Sequence, residues 1–412
     1  MMLSYAGEAA VSAVSLVDMI NQLLMSVLIA LVTGGAVVVS QYIGRGEREA
    51  GCTAASQLFT VSLTISAGLA LLVVLFHRPL LRLLFGNVGN EIMSASITYI
   101  VISGLSYPFF AVYNAGAALF RSMGNGRIPM TASIAMNTLS IAGSAVGIFL
   151  LNAGVLGVAV SMLASRAIAA LALTRLSRNP KYEVHIRFAE VFSWNGPMVR
   201  RILNIGIPNG VENGIFQLGR VLIASMIALL GTSQIAATGV AYSFMGLAIT
   251  FAGAINFAMV TVVGQCLGAN DYEQAARYTK RLIKLAYVGT LCISLVEVLL
   301  LPLILNLYAL SADVKHLTFT LVAIHNGFAI LIWPTSFTLS YALRAAGDVR
   351  FTMIVSIVSM FVMRVSAAYL LGIVLQTGVI GIWIAMGLDW VARSAIFLLR
   401  FRSGKWRTFR VI

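Results

Sequence analysis

The chain is 412 residues long, 59% apolar and only 10% charged, with a net charge of +14. Soluble domains carry about 25% charged residues, so an ordinary globular protein is excluded. No HExxH, GxSxG or Walker A lysine pattern occurs, and no interval between apolar runs could house a nucleotide-binding domain. Neither an enzyme nor an ATP-driven pump is expected, and no cofactor is implied.

The opening MMLSYAGEAA lacks the basic and apolar regions of a signal peptide. From there, eleven apolar stretches near 20 residues or longer follow in order: about 14–39, 52–76, 92–119, 128–151, 154–175, 204–230, 235–264, 285–308, 316–342, 353–375 and 378–400. A bilayer core of roughly 30 Å asks that length of a spanning helix. A helix satisfies its own backbone hydrogen bonds in lipid, so the expected fold is an all-α polytopic membrane protein. Cys52, Cys266 and Cys292 form no CxxC pair and read as small apolar residues.

The positive charge could indicate a nucleic-acid binder, but its positions argue otherwise. Threading eleven spans places 21 of the 28 Lys and Arg residues in loops on one side. They lie at Arg45 and Arg48, Arg121 and Arg127, Arg175 to Arg201, Arg277 to Lys284, Arg344 and Arg350, and Arg400 to Arg410. Only Arg78, Arg82 and Lys315 fall opposite. This bias marks the richer side, with the C-terminus, as cytoplasmic. The lipid bilayer is then the main partner, and no nucleic acid or obligate protein partner is expected.

The sequence is also written twice. At an offset of 224, Gly7 falls on Gly231, Gln41 on Gln265, Gly44 on Gly268 and Glu49 on Glu273. At 223, RSMGNGR (121–127) falls on RAAGDVR (344–350), and at 224 again GVLGV (154–158) falls on GVIGI (378–382). Six spans per copy make parallel repeats, a plan used by alternating-access transporters. Residues 1–175 are the expected N-lobe, 176–203 a cytoplasmic connector, and 204–412 the C-lobe with a basic tail. The connector is expected to include a short interfacial helix with Trp194 at headgroup level. The second copy opens with a span before Gly231, whereas only six residues precede Gly7. The first repeat is therefore expected to lack its N-terminal helix. QYIGRGERE (41–49) and its echo QCLGANDYE (265–273) become matching cytoplasmic turns, reversed by Gly44 and Gly46 in the first copy.

With this repeat, the block GGAVVVSQYIGRGERE, the segment GIPNGVEN and the closing IWIAMGLDWVARSAIFLLRFRSGKW, the chain resembles the multidrug and toxic compound extrusion (MATE) family of the MOP superfamily. It is most similar to the family's Firmicutes-like bacterial branch. The resemblance covers essentially the whole chain except the first helix. It implies a two-lobed efflux pump in the bacterial cell membrane that exchanges Na⁺ or H⁺ for organic, often cationic, compounds. It also implies an ion-coupling acid on the helix that carries Glu212, which some branches place about one turn later, near Phe216 and Gln217.

Ionisable side chains inside spans are costly, so each is a functional candidate. The acids are Asp18, Glu212, Glu297 and Asp389, and the arginines are Arg166, Arg220, Arg364 and Arg393. Glu212 ranks first. Pro208 removes a helix donor, and Gly206, Gly210 and Gly214 loosen packing, so freed carbonyls could join the carboxylate around a cation such as Na⁺. The alternative is a contact with Arg220, eight residues on. Asp18, Asn21 and Gln22 share a helix face and could hold a cation or a cationic substrate, or simply bond a neighbouring helix. Arg364 and Asp389 flank the tight connection at Gln376–Gly378, and Asp389 lies four residues from Arg393. A structural ion pair or a gate fits them. Asn137, Ser140 and Ser144 form a polar stripe in the first repeat, and His325, Asn326 and the Pro334 kink mark the span at 316–342. Glu297 has no evident mate.

The expected function is secondary antiport of organic cations against Na⁺ or H⁺ entry. Two alternatives stay open: a flippase for a lipid-linked sugar or other amphiphile, and a truncated, non-transporting homologue.

Overall fold

The computed structural model describes residue 5 and residues 7–86, 89–308 and 310–412. Half of the opening segment weighed as a signal peptide, residues 1–4 and 6, lies outside them. All regular structure among the described residues is helical. In chain order it runs α1 (Glu8–Arg45), α2 (Arg48–Phe85), α3 (Asn90–Leu105), α4 (Tyr107–Ser122), α5 (Arg127–Ala145), α6 (Gly154–Ser177) and the short α7 (Phe188–Val191). It continues with α8 (Gly196–Ala228), α9 (Thr232–Gly268), α10 (Tyr272–Asn306), α11 (Ala312–Trp333), α12 (Leu339–Ala345), α13 (Val349–Ser359) and α14 (Gly378–Arg402).

Ten stretches among the described residues have the length and apolar composition to cross a membrane. The remaining expected span is α8, which is long enough at 33 residues. Arg200, Arg201, Asn204, Asn209, Glu212, Asn213, Gln217 and Arg220 dilute its apolar character. Several helices outrun a 30 Å core; α1, with 38 residues, is about 57 Å long at 1.5 Å per residue. α2 bends at Phe76, three residues before Pro79, whose missing N–H and bulky ring interrupt the helical ladder.

The duplication is visible in the backbone. Left-handed φ values recur at Gly7 and Gly231, Gly46 and Asn270, Asn152 and Gln376, and Gly154 and Gly378, each pair 224 residues apart. Gly124 and Gly347 form another pair, at 223. Only glycine takes this conformation without a Cβ penalty, and asparagine tolerates it best among the rest. The turn after α1 therefore reverses at Gly46, while Gly44 stays helical, a correction to the expectation that both glycines turn the chain. A π-helical turn also recurs in both copies, at Val146–Leu150 and Tyr369–Val374. Each lies just before the tight connection into α6 or α14, where glycines from the two arms meet. A Cβ on Gly147 would lie 2.7 Å from Gly157 Cα, and one on Gly372 would lie 3.1 Å from Gly378 O.

The chain divides into two compact units, residues 1–210 and 211–412. In the first, the connector is strapped to α2. Arg48 donates to the carbonyls of Pro180, Tyr182 and Glu183 at 2.8–3.3 Å. Gln57 donates to the carbonyls of Glu190 and Ser193 and accepts from the Asn195 N–H. Arg187 bridges Glu49 at 2.5 Å and Glu190 at 3.2 Å, and hydrogen bonds to these carboxylates hold its guanidinium above its ordinary pKa. Cys52 does not act as a plain apolar residue here; its Sγ lies 3.6 Å from His185 Nδ1. The short α7 sits within this strap, and Trp194 after it is exposed. In the second unit the tail folds back. Arg400 bridges Asp348 through two nitrogens at 2.7 and 3.2 Å, and Trp406 stacks on Phe401.

The glycine contact between the two arms yields a test. Gly147→Leu drives a side chain into the Gly157 backbone and is expected to cost about 1–3 kcal/mol. The melting temperature of the detergent-solubilised protein reads that loss. Gly68→Ala, where an added Cβ meets no neighbour within 4 Å outside its own helix, does not lower it.

Candidate functional site

In the first unit, α1, α3, α4 and α6 bring a polar group together inside the span. Asp18 is half-buried, and its Oδ1 accepts from Tyr99 Oη at 3.1 Å and from Asn21 Nδ2 at 3.3 Å. The buried Asn21 in turn accepts from Tyr107 Oη at 2.7 Å and from Ser103 Oγ at 3.1 Å. Arg166 belongs to the next layer. It donates to Ser106 Oγ at 2.7 Å and lies over the Phe110 ring at 5.0 Å, without an ion pair to Asp18. Among the described residues, no cationic side chain lies within 4 Å of Asp18.

The sequence grouping of Asp18, Asn21 and Gln22 is met only in part. Asn21 joins the carboxylate because i and i+3 stack on one face, whereas Gln22 points to the exposed side of α1. Asn137 lies on an exposed face of α5, and no hydrogen bond among the described residues links it to Asp18. Tyr99, Ser103 and the bond from Tyr107 to Asn21 are what sequence reasoning missed. They come from other helices, and spacing along one helix carries no sign of them.

In the second unit, Glu212 is 7% exposed and Arg344 is 6% exposed. Arg344 donates to Glu212 Oε1 at 2.7 Å and lies over the Tyr341 ring at 4.7 Å. This corrects two expectations. Arg344 is not a loop charge, because α12 continues through Ala345 and keeps it among buried neighbours. Nor is Arg220 the mate of Glu212; it is exposed and donates to Gln217 at 3.3 Å. One signal was present in the sequence: Arg344 precedes the turn glycine Gly347 by three residues, within reach of a continuing helix.

Asp389, Arg364 and Arg393 do come together. Arg393 Nε donates to Asp389 Oδ1 at 2.8 Å, Ser359 Oγ donates to the same oxygen at 2.5 Å, and Arg364 Nε lies 3.1 Å from Oδ2. That last contact is close enough for an ion pair but off the line of a hydrogen bond. Glu297 finds its mate on the next helix, as Asn326 Nδ2 donates to its Oε2 at 3.0 Å. The amide oxygen of Asn326 then faces His325 Nδ1 at 3.0 Å, which fixes Nδ1 as the protonated ring nitrogen. No group of three or more His, Cys, Asp or Glu residues gathers as a metal centre among the described residues.

With these helices and their charges in place, comparison with known proteins is decisive. The MatE family model matches residues 1–146 and 208–370. The chain belongs to the MatE family. This MatE protein is 26% identical over 414 residues to the uncharacterized transporter YisQ of Bacillus subtilis, covering 98% of this chain and 89% of that one. It is 27% identical over 411 residues to the probable multidrug resistance protein NorM of Thermotoga maritima, covering 98% and 87%. Among solved structures, MATE in the bent conformation superposes with a TM-score of 0.90 at 20% identity, covering 98% of this chain and 90% of that one. The outward-facing form of a multidrug resistance MATE transporter gives 0.90 at 21%, covering 97% and 89%. The MatE protein is thus a multi-pass membrane transporter.

The buried Glu212–Arg344 pair makes a measurable prediction. Arg344→Met leaves a buried carboxylate without its cation, at a cost of about 3–5 kcal/mol. Thermal unfolding in detergent is expected to show a large fall for Arg344→Met and recovery of most of it in the double variant with Glu212→Gln.

Proposed function

We propose that this MatE protein is a secondary antiporter of the bacterial cytoplasmic membrane, with its C-terminus inside. It exports organic cations by alternating access as Na⁺ or H⁺ enters. One observation carries this reading: Asp18 sits in a spanning helix with hydroxyl and amide partners and, among the described residues, no cationic side chain within 4 Å, Arg166 standing off in the next layer. A carboxylate at that depth is costly to leave bare, so it takes up a cation, and a proton, Na⁺ and an organic cation compete for it. Glu212 is the second candidate, although Arg344 already answers its charge. Tyr99 and Asn21 hold the Asp18 carboxylate in place, while Asn137 and Gln22 stand apart from it. The probable multidrug resistance relative supports organic compounds as cargo.

The test is ethidium efflux from proteoliposomes under imposed Na⁺ or proton gradients. Asp18→Asn is expected to lower gradient-driven efflux at least about tenfold, which corresponds to roughly 1.4 kcal/mol. Glu212→Gln lowers it less. Wild-type rates in Asp18→Asn, or efflux indifferent to either gradient, would overturn the reading; the latter is the behaviour of a non-transporting homologue.

A further inference from the structure

The second unit encloses a cavity of about 300 Å³, within the volume range of small-molecule sites. Aromatic residues dominate its wall: Phe216, Tyr242, Trp333, Phe337, Trp383 and Trp390. Its charged lining consists of Arg220 and Arg364, and no carboxylate lines it.

The charges around this cavity do not cancel. Asp389, fully buried, is the anion beside it, and it already serves both Arg364 and Arg393. Arg220, at the cavity edge, has neutral Gln217 as its hydrogen-bond partner. Of the neighbouring acids, Glu212 pairs with Arg344, and Glu297, held by Asn326, lies outside the cavity lining. Three guanidiniums therefore share one carboxylate. Rings answer part of the surplus, since Arg364 lies 5.2 Å from the Phe216 centroid and Arg393 lies 5.4 Å from Phe216 and 5.5 Å from Phe337. Aromatic faces offset positive charge only in part, and uncompensated charge inside a spanning unit is costly. The buried indole N–H of Trp390 also has no hydrogen-bond partner, which leaves a donor for an acceptor.

We propose that this cavity binds an organic anion: a compact aromatic body stacked among the tryptophans and a sulfonate, carboxylate or phosphate group held by Arg220 and Arg364. The proposal does not rest on the cation reading. Asp18 lies in the first unit and the cavity in the second, so either can fail alone. Guanidinium is suited to the task because its planar fork matches two oxygens of such a group.

Calorimetric titration of the full chain in phosphatidylcholine nanodiscs tests it, with empty discs subtracted. Three probes share one ring system: 2-naphthalenesulfonate, 2-naphthalenemethanol and (2-naphthylmethyl)trimethylammonium. The sulfonate is expected to bind at least about tenfold more tightly than the alcohol, and the ammonium more weakly than either. Arg220→Gln, which leaves the buried Asp389 pairs intact, is expected to weaken the sulfonate about tenfold and leave the alcohol unchanged. Competition by phosphatidylglycerol in the disc would place a lipid phosphate in the same anion site and support it. Equal or tighter binding of the ammonium, or an unaltered sulfonate affinity in Arg220→Gln, would overturn it.

Discussion

A charge inside a bilayer has no water to answer it, and most of what is particular to this chain follows from how each such charge is met. Glu212 is met by Arg344, and Asp389 by Arg393 and Arg364. Glu297 is met by an amide alone, and Asp18 by an amide and a phenol. For the first two acids, removing a partner strands a buried ion. Neither of the last two has a cationic side chain within 4 Å among the described residues. In the second unit a positive surplus collects around the aromatic cavity, whereas in the first Asp18 and Arg166 lie in adjacent layers without pairing.

The backbone obeys the same constraint. Helices are the only open-ended way to satisfy N–H and C=O groups in lipid, so the chain must reverse outside the span or within very short connections. Left-handed residues make many of those reversals, and five such positions recur in both copies. The π-helical turns before α6 and α14 let glycine arms close against each other where a Cβ would meet backbone. Polar side chains of α2 hold the connector to the helix through its backbone carbonyls, an arrangement available only at the wet end of a span.

The fold was legible in the sequence because it is written in local terms. Apolar run length, glycine punctuation and the repeated landmarks from Gly7 to GVIGI each act over a few residues. The site was legible where partners lie on one helix, as with Asp18 and Asn21 or Asp389 and Arg393, or face each other across a tight connection, as with Arg364 and Asp389. Partners on helices further apart in the chain were hidden. Tyr99 and Tyr107 for the first unit, Asn326 for Glu297 and Arg344 for Glu212 are separated from their mates by 29 to 132 residues. Arg344 was misplaced for a further reason: a cation near a cytoplasmic turn satisfies the orientation rule equally well inside or outside the helix. The aromatic cavity is assembled the same way, since Trp333 of α11 and Trp383 and Trp390 of α14 meet only through the packing of separate helices.

The central claim is that Asp18, alone among the acids of the first unit's spans, is the seat of cation binding. Equilibrium binding of radiolabelled tetraphenylphosphonium to the purified protein, with and without Na⁺, tests it most directly. The account predicts binding by the wild type that Na⁺ or acid displaces, its loss in Asp18→Asn, and its retention in Arg220→Gln. Undiminished binding in Asp18→Asn would contradict it.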